Sequence, residues 1–294
     1  MKRPPTLLGV PVDSAGRPGG NEISPTALRR HGLAAAVGAC ADRNDLPVRI
    51  LGPRDPASGI IGYADVLELT RQLRAQVAQM VAAQELPLLL GGCCSLAMGA
   101  LAGARDGHGR VGVVYIDGHL DLYDGRSSPT GDCADMPFGF LVGQAPPALA
   151  HEMGCARPVA PGDAVLLGYR DRAGAQALGS AMPEQFGPAL LHLDDLALLA
   201  RGPAAVGRAV AARMEDGCGH FWLHLDFDVL GEASFAAVDY PAPGGLTWPQ
   251  LVDLLRPLLH SAALAGISLA CYNPERDPGG RCAADVSHYL RLAF

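Results

Sequence analysis

The sequence predicts a single-domain three-layer α/β/α sandwich spanning residues 1–294, built on a mainly parallel sheet of about eight strands. Three observations predict it. Short, uninterrupted apolar runs recur along the chain, the pattern of strands buried on both faces. Segments with apolar residues at steps of three and four alternate with them, the pattern of helices packed along one side. No composition break or internal repeat divides the chain.

The elements follow in order. TLLGV at 6–10 reads as the first strand. SPTALRRHGLAAAV, from Ser24, reads as a helix with Pro25 in its first turn, where a missing N–H costs nothing. VRIL at 48–51 is expected as a second strand. A long helix over 64–84 carries Val66, Leu69, Leu73, Val77 and Met80 on one face. PLLLGG at 87–92 is a strand that stops at Gly91-Gly92, and Ser95 is expected to cap a helix running through Met98 and Leu101. The runs at 111–117, 164–169, 189–193, 220–228 and 264–272 complete the strand set, with helices at 203–214 and 248–260 separating the last of them. The loops at 118–136 and 230–245 are long for this class, and long loops after strand ends are usually the walls of a site.

The formal net charge is −7 and no long basic run occurs, so nucleic acid is not an expected partner. The basic tip at Met1 and Lys2 is followed by an apolar stretch broken at Pro11, which reads as a strand and not as an export signal. No apolar run reaches transmembrane length, so no membrane partner is expected. A cytoplasmic location follows as the expectation, with the eight cysteines as free thiols. The ordinary reading of each cysteine is a small buried hydrophobe.

The chemistry concentrates at strand ends. VVYID runs into DGHLD, which presents Asp117, His119 and Asp121 at alternate positions. Carboxylates supply charge and can bridge two cations, while an imidazole nitrogen suits Mn, Fe or Zn. A second strand supplies Asp226 and Asp228 on one side of a period-2 segment. Two carboxylates in an apolar strand do not both stay ionised without a cation. His224 shares that side but lies deeper, and reads as a core histidine or a support to a ligand. Cys93 and Cys94 follow a third strand end, where open α/β sheets bind ligands. Five oxygen or nitrogen donors and one thiol at three strand ends suffice for two bridged divalent ions, which could lower the pKa of a shared water.

At these residues the chain resembles the ureohydrolase family of arginases, agmatinases and formiminoglutamases. GGCCSLAMG stands where the family has Gly-Gly-Asp-His-Ser, YIDGHLDLYD resembles its Asp-Ala-His-x-Asp motif, and HLDFDVL its Asp-x-Asp motif. PAPGGLT and CYNPERDPGGR resemble the segments that follow, and VPVDSAGRPGGNEISPTALR the family's N-terminal Gly-rich segment. The resemblance implies that Asp117 and Asp226 bridge two metals, that His119 and Asp228 complete one site, and that Asp121 and Cys94 complete the other. It implies Mn, with Zn, Fe or Ni admitted by the thiolate at Cys94. A cysteine there resembles the branch that hydrolyses N-hydroxyarginine, while Cys93 inherits no ligand role. His119, Asp121 and Asp228 are implied as the catalytic set, with a metal-bridging hydroxide as nucleophile.

The substrate end departs from the family pattern. The glutamate that holds a guanidinium falls at Cys271, and the loop histidine used for proton transfer falls at Ala134. A small hydroxylated residue becomes Tyr240, and Tyr123 stands where an asparagine is expected. Cys133 falls near the same cradle, and YRDRAGAQA lacks an expected acidic pair. The expectation is a hydrolase of a carbon–nitrogen bond in a guanidino, hydroxyguanidino or amidine compound other than free arginine. Its partner is a small-molecule substrate, and a homo-oligomer is implied by analogy alone. Two further readings fit the same residues: a non-catalytic relative that binds a metal, ligand or partner, and a metalloenzyme of different chemistry with a cysteine-rich pocket.

Overall fold

The computed structural model describes residues 3–294, so the basic tip at Met1 and Lys2 lies outside the described residues. Eight strands form one parallel sheet: β1 (Pro5–Val10), β2 (Ala41–Asp45), β3 (Leu86–Gly91), β4 (Gly112–Ile116), β5 (Ala164–Tyr169), β6 (Leu191–Asp194), β7 (Phe221–Asp226) and β8 (Leu264–Ala270). Their order across the sheet is β2-β1-β3-β8-β7-β4-β5-β6. Alternate residues along each strand enter opposite layers, as the period of two requires. Leu88, Leu90, Val114, Ile116, Leu223 and Leu225 belong to one core. Leu89, Val113, Tyr115, Leu166 and Trp222 belong to the other. The single α/β domain with helices on both faces is the predicted architecture.

The helix Tyr63–Ala82 buries Val66, Leu69, Leu73, Val77 and Met80 completely, which is the face its periodicity specifies. Helices Pro203–Gly217 and Trp248–Leu259 lie close to the expected ranges. Among the described residues no helix is long and apolar enough to cross a membrane.

Four elements differ from the sequence reading. The second strand is the polar, exposed segment Ala41–Asp45, not VRIL at 48–51. β2 is an edge strand paired only with β1, and an edge facing water needs no apolar run. Val48 and Ile50 are buried in the second core instead. The first helix breaks at Gly32, whose φ of 81° is left-handed, into Ser24–Arg30 and Leu33–Ala36. Ser95 is not the cap expected of it. The extended residue Cys93 precedes a 3-10 turn at Cys94–Leu96, the helix proper starts at Ala97, and the Ser95 hydroxyl lies 2.9 Å from the Cys93 sulfur. The C-terminal helix Arg281–Ala293 has no counterpart in the sequence reading.

Gly92 joins three elements just beyond β3. Its N–H donates to Val10 O, its carbonyl accepts from Cys271 N at 2.7 Å, and the next N–H reaches Val12 O. A Cβ at Gly92 would lie 1.7 Å from Val12 O, a backbone atom that cannot step aside. Gly92→Ala is therefore expected to cost about 1–3 kcal/mol or more through overpacking, read as a lower midpoint in urea unfolding. An unchanged midpoint would show that the two chain segments are free to separate.

Candidate metal centre

Strands β3, β8, β7 and β4 are neighbours at the middle of the sheet, and each ends in chemistry-bearing residues. Asp226 pairs with Ala270, and Leu225 with Ile116, so Cys271 and Asp117 follow on either side of Asp226. Cys94 comes from the turn after β3. Two of these positions hold unusual backbone: φ is 49° at Asp121 and 61° at Cys271. Aspartate tolerates the left-handed region through local hydrogen bonding, but cysteine has no such relief. Strain of about 1–3 kcal/mol at such a residue persists only where its surroundings enforce it. Gly118 is required by close approach, since a Cβ there would meet Arg170 Nη1 at 2.4 Å and Asp228 O at 2.7 Å.

The side chains converge. The Cys94 sulfur lies 2.8 Å from Asp226 Oδ2, 3.8 Å from Asp117 Oδ2, 3.6 Å from the Cys271 sulfur and 3.2 Å from His224 Nε2. His119 Nδ1 is 2.8 Å from Asp228 Oδ2 and 3.7 Å from Asp117 Oδ1. Three compact donor groups result: Asp117, His119 and Asp228; Cys94, Asp226 and Cys271; and Cys94, Asp117 and His224. Asp121 faces the same cavity, but its Oδ2 accepts a 2.6 Å hydrogen bond from Tyr115 and it belongs to none of these groups.

Burial sets the protonation. It pushes Asp117 and Asp121 well above the usual carboxylate range, and neighbouring carboxylates add to the effect at Asp117. Asp226 is pushed up to about 8 by burial and by Asp228. Burial also opposes ionisation of Asp228, yet the His119 cation and a hydrogen bond from Gly118 N hold it at about 2. His119 is the converse: burial would lower it, and the Asp228 carboxylate lifts it to about 10. Burial, Cys271 and Asp226 push the Cys94 thiol well above its ordinary value. Burial drops His224 to about 3, so it is a neutral imidazole, with Nδ1 2.8 Å from Ser268 Oγ. Asp117, Asp121, Asp226 and Cys94 are acidic groups whose protons divalent cations would displace, and the set fits such ions.

Above them lies a cavity of about 270 Å³. Tyr123, Ala134, Tyr240 and Cys271 line it, together with Asp132, Asp135 and Asp171. No lysine or arginine lines it among the described residues. Cys133 is not on that wall; it is fully buried in the same core layer as Cys93. Cys93 contacts Ser14 Oγ at 3.2 Å, and Ser14 donates to Asp132, which ties the loop to the end of β3.

Four residues outside the predicted set shape the site. Tyr115 holds Asp121, and His224 backs Cys94. Asp171 accepts from Leu120 N at 3.1 Å and supplies one carboxylate in the segment expected to lack an acidic pair. Arg170 donates 2.6 Å to Asp228 O and reaches Leu230 O and Ala242 O, anchoring the second long loop. His224 is visible in the sequence through its period-2 relation to Asp226; Arg170 and Asp171 carry no sequence signal, because their neighbours come from distant loops.

A family model described as the arginase family matches residues 4–292. An arginase of Bacillus caldovelox is 26% identical over 290 residues, covering 96% of this chain and 95% of the relative. The native structure of Bacillus caldovelox arginase superposes with a TM-score of 0.87 at 25% identity, over 99% of this chain and 98% of that one. Formimidoylglutamase of Bacillus subtilis shares the fold, with a TM-score of 0.73 at 17% identity over 99% of this chain and 86% of that one.

A carboxyl whose pKa rises on folding destabilises the fold above its unfolded value of about 3.9, increasingly up to the folded value and fully beyond it. With Asp226 pushed up to about 8, metal-free Asp226→Asn is expected to melt higher than the parent in alkaline buffer near pH 9. That advantage is expected to vanish near pH 4. Added Zn²⁺ or Mn²⁺ should raise the melting temperature of the parent more than that of the variant. If the metal-free parent melted no lower than the variant at the alkaline end, the carboxylates would not be in conflict.

Proposed function

The chain belongs to the arginase family of hydrolases, and on that premise we propose that it is a two-metal hydrolase of a carbon–nitrogen bond in a cationic guanidino, hydroxyguanidino or amidine compound. The observation that carries the reading is the convergence of Asp117, His119, Asp226, Asp228 and Cys94 from adjacent strand ends beneath an acidic cavity. Those residues, with Asp121 at the cavity wall, would hold the ions. When bound, the ions supply an activated water and polarise the scissile group.

The chain's own residues then set the substrate. Asp132, Asp135 and Asp171 on the wall favour a positive charge, and among the described residues no lysine or arginine lines it to pair with a substrate carboxylate. That favours a cationic compound without the α-carboxylate of an amino acid. Tyr123 and Tyr240 offer ring faces near the mouth, with Tyr240 61% exposed and its ring edge-on to His119. Ala134 cannot relay a proton, which favours a leaving group that departs without a general acid, such as a neutral or more acidic amine. Manganese, or a thiophilic ion drawn by Cys94, fits the donors.

Free arginine is expected to be a poor substrate. Cys271 offers one sulfur where two carboxylate oxygens would grip a guanidinium. Losing a charged partner for a buried cation costs about 2–5 kcal/mol, about 30-fold to several thousandfold in affinity. The test is urea, hydroxyurea or ammonia release across a panel of guanidino and amidine compounds with and without a carboxylate. Rapid urea release from arginine would overturn the specificity argument, and no release from any compound by metal-loaded protein would favour the non-catalytic reading. In the same preparations Asp228→Ala is expected to lose bound metal while Cys93→Ala keeps it. Equal loss from both would show that the cysteine pair has been assigned the wrong way round.

A further inference from the structure

Cys271 stands in the sequence where a substrate-gripping side chain is expected, yet the fold puts it somewhere more consequential. β8 lies between β3 and β7, so the residue following β8 sits between the turn that carries Cys94 and the strand that ends in Asp226. The left-handed backbone at Cys271, and its N–H bound to Gly92 O at 2.7 Å, fix that placement.

We propose that Cys271 is a metal ligand: with Cys94 and Asp226 it forms a thiolate-rich site for a thiophilic divalent ion such as zinc, next to an oxygen-and-nitrogen site at Asp117, His119 and Asp228. The inference rests on the two-metal reading above and changes the character of one of its halves. The geometry supports it. Two thiolates about 2.3 Å from one zinc ion at a tetrahedral angle stand about 3.8 Å apart, and the Cys94 and Cys271 sulfurs are 3.6 Å apart. Asp226 Oδ2 is within 2.8 Å of the Cys94 sulfur, and the three donor atoms form one compact group. His224 Nε2 lies 3.2 Å from the Cys94 sulfur. Cys271 also lines the cavity, so the site opens toward substrate.

The donor chemistry divides the centre. Sulfur ligands select zinc-like ions, while carboxylate with one imidazole suits manganese-like ions. The two halves are then unequal in metal preference, and Cys271 leaves the substrate wall for the metal.

The test is cobalt(II) titration of the reduced, metal-stripped full-length protein, followed by near-ultraviolet absorption. The parent is expected to show thiolate-to-cobalt charge transfer that falls by about half in Cys271→Ser and in Cys94→Ser and is unchanged in Cys93→Ser. Zinc should abolish the band at one equivalent, and manganese should not. Residue-resolved alkylation supplies a second reading on the unmutated protein: zinc should protect Cys94 and Cys271 together while exposed Cys40 reacts as before. Cobalt bound with full charge transfer in Cys271→Ser, or zinc protecting Cys94 but not Cys271, would overturn this inference and leave the two-metal reading standing. No cobalt binding by the parent would overturn both.

Discussion

Everything at this site follows from the cost of placing four aspartates and the Cys94 thiol, nearly dry, at the ends of adjacent apolar strands. Asp117, Asp121, Asp226, Asp228 and Cys94 are almost fully buried. Asp228 lies closest to the counter-charge of His119, and of these four aspartates it alone is held below the ordinary carboxylate range. The others retain protons because burial penalises their anions. Such a cluster makes no contribution to folding that leucine or valine would not exceed. It has a physical rationale only as a receptor for cations, and the apolar sheet beneath it keeps the donors from relaxing apart.

The rest of the molecule is arranged to hold that conflict in place. Glycines occur where a Cβ would strike backbone, at Gly92 against Val12 and at Gly118 against Asp228. Arg170 secures the far loop by carbonyl contacts, one of them to Asp228 O, and so leaves the carboxylate oxygens to the site. Tyr115 reaches up from within β4 to hold Asp121. These are costly placements, strained or partly unsatisfied, and they cluster around one cavity as functional strain does; two Arg170 nitrogens are buried without a partner.

Much of this is legible in the sequence, for identifiable physical causes. Interior strands are apolar on both faces, so seven of the eight announce themselves; the edge strand Ala41–Asp45 does not, because an edge is not obliged to be apolar. The donors in DGHLD and LDFD are legible because alternate residues of an extended segment point to one side, and an apolar sheet gains nothing from carboxylates gathered there unless a cation joins them. Sheet order is not legible from the residues, since no local pattern states that the last strand inserts between β3 and β7. Cys271 accordingly stands out in the sequence only as a departure from a pattern, with no sign that it touches Cys94. Cys133 is drawn toward the pocket wall by its proximity in sequence to Ala134, but neighbouring residues of a 3-10 turn point in different directions, and it faces the core.

The contact between Cys94 and Cys271 brings the two departures from the family pattern together in one place. A glutamate at position 271 would bring a further carboxylate against a thiolate at 94, in a place already crowded by Asp226 and Asp117. Like charges at such separations in a low-dielectric interior repel by several kcal/mol, and the cation meant to bind there would be shared among too many anions. A cysteine at 271 places a second sulfur 3.6 Å from the first, where both can join one ion as ligands. On the proposed reading, the residue that stands in for a guanidinium-holding glutamate is the same one that would complete a thiolate site with Cys94. On that reading a weakened grip on arginine would accompany the change of metal site.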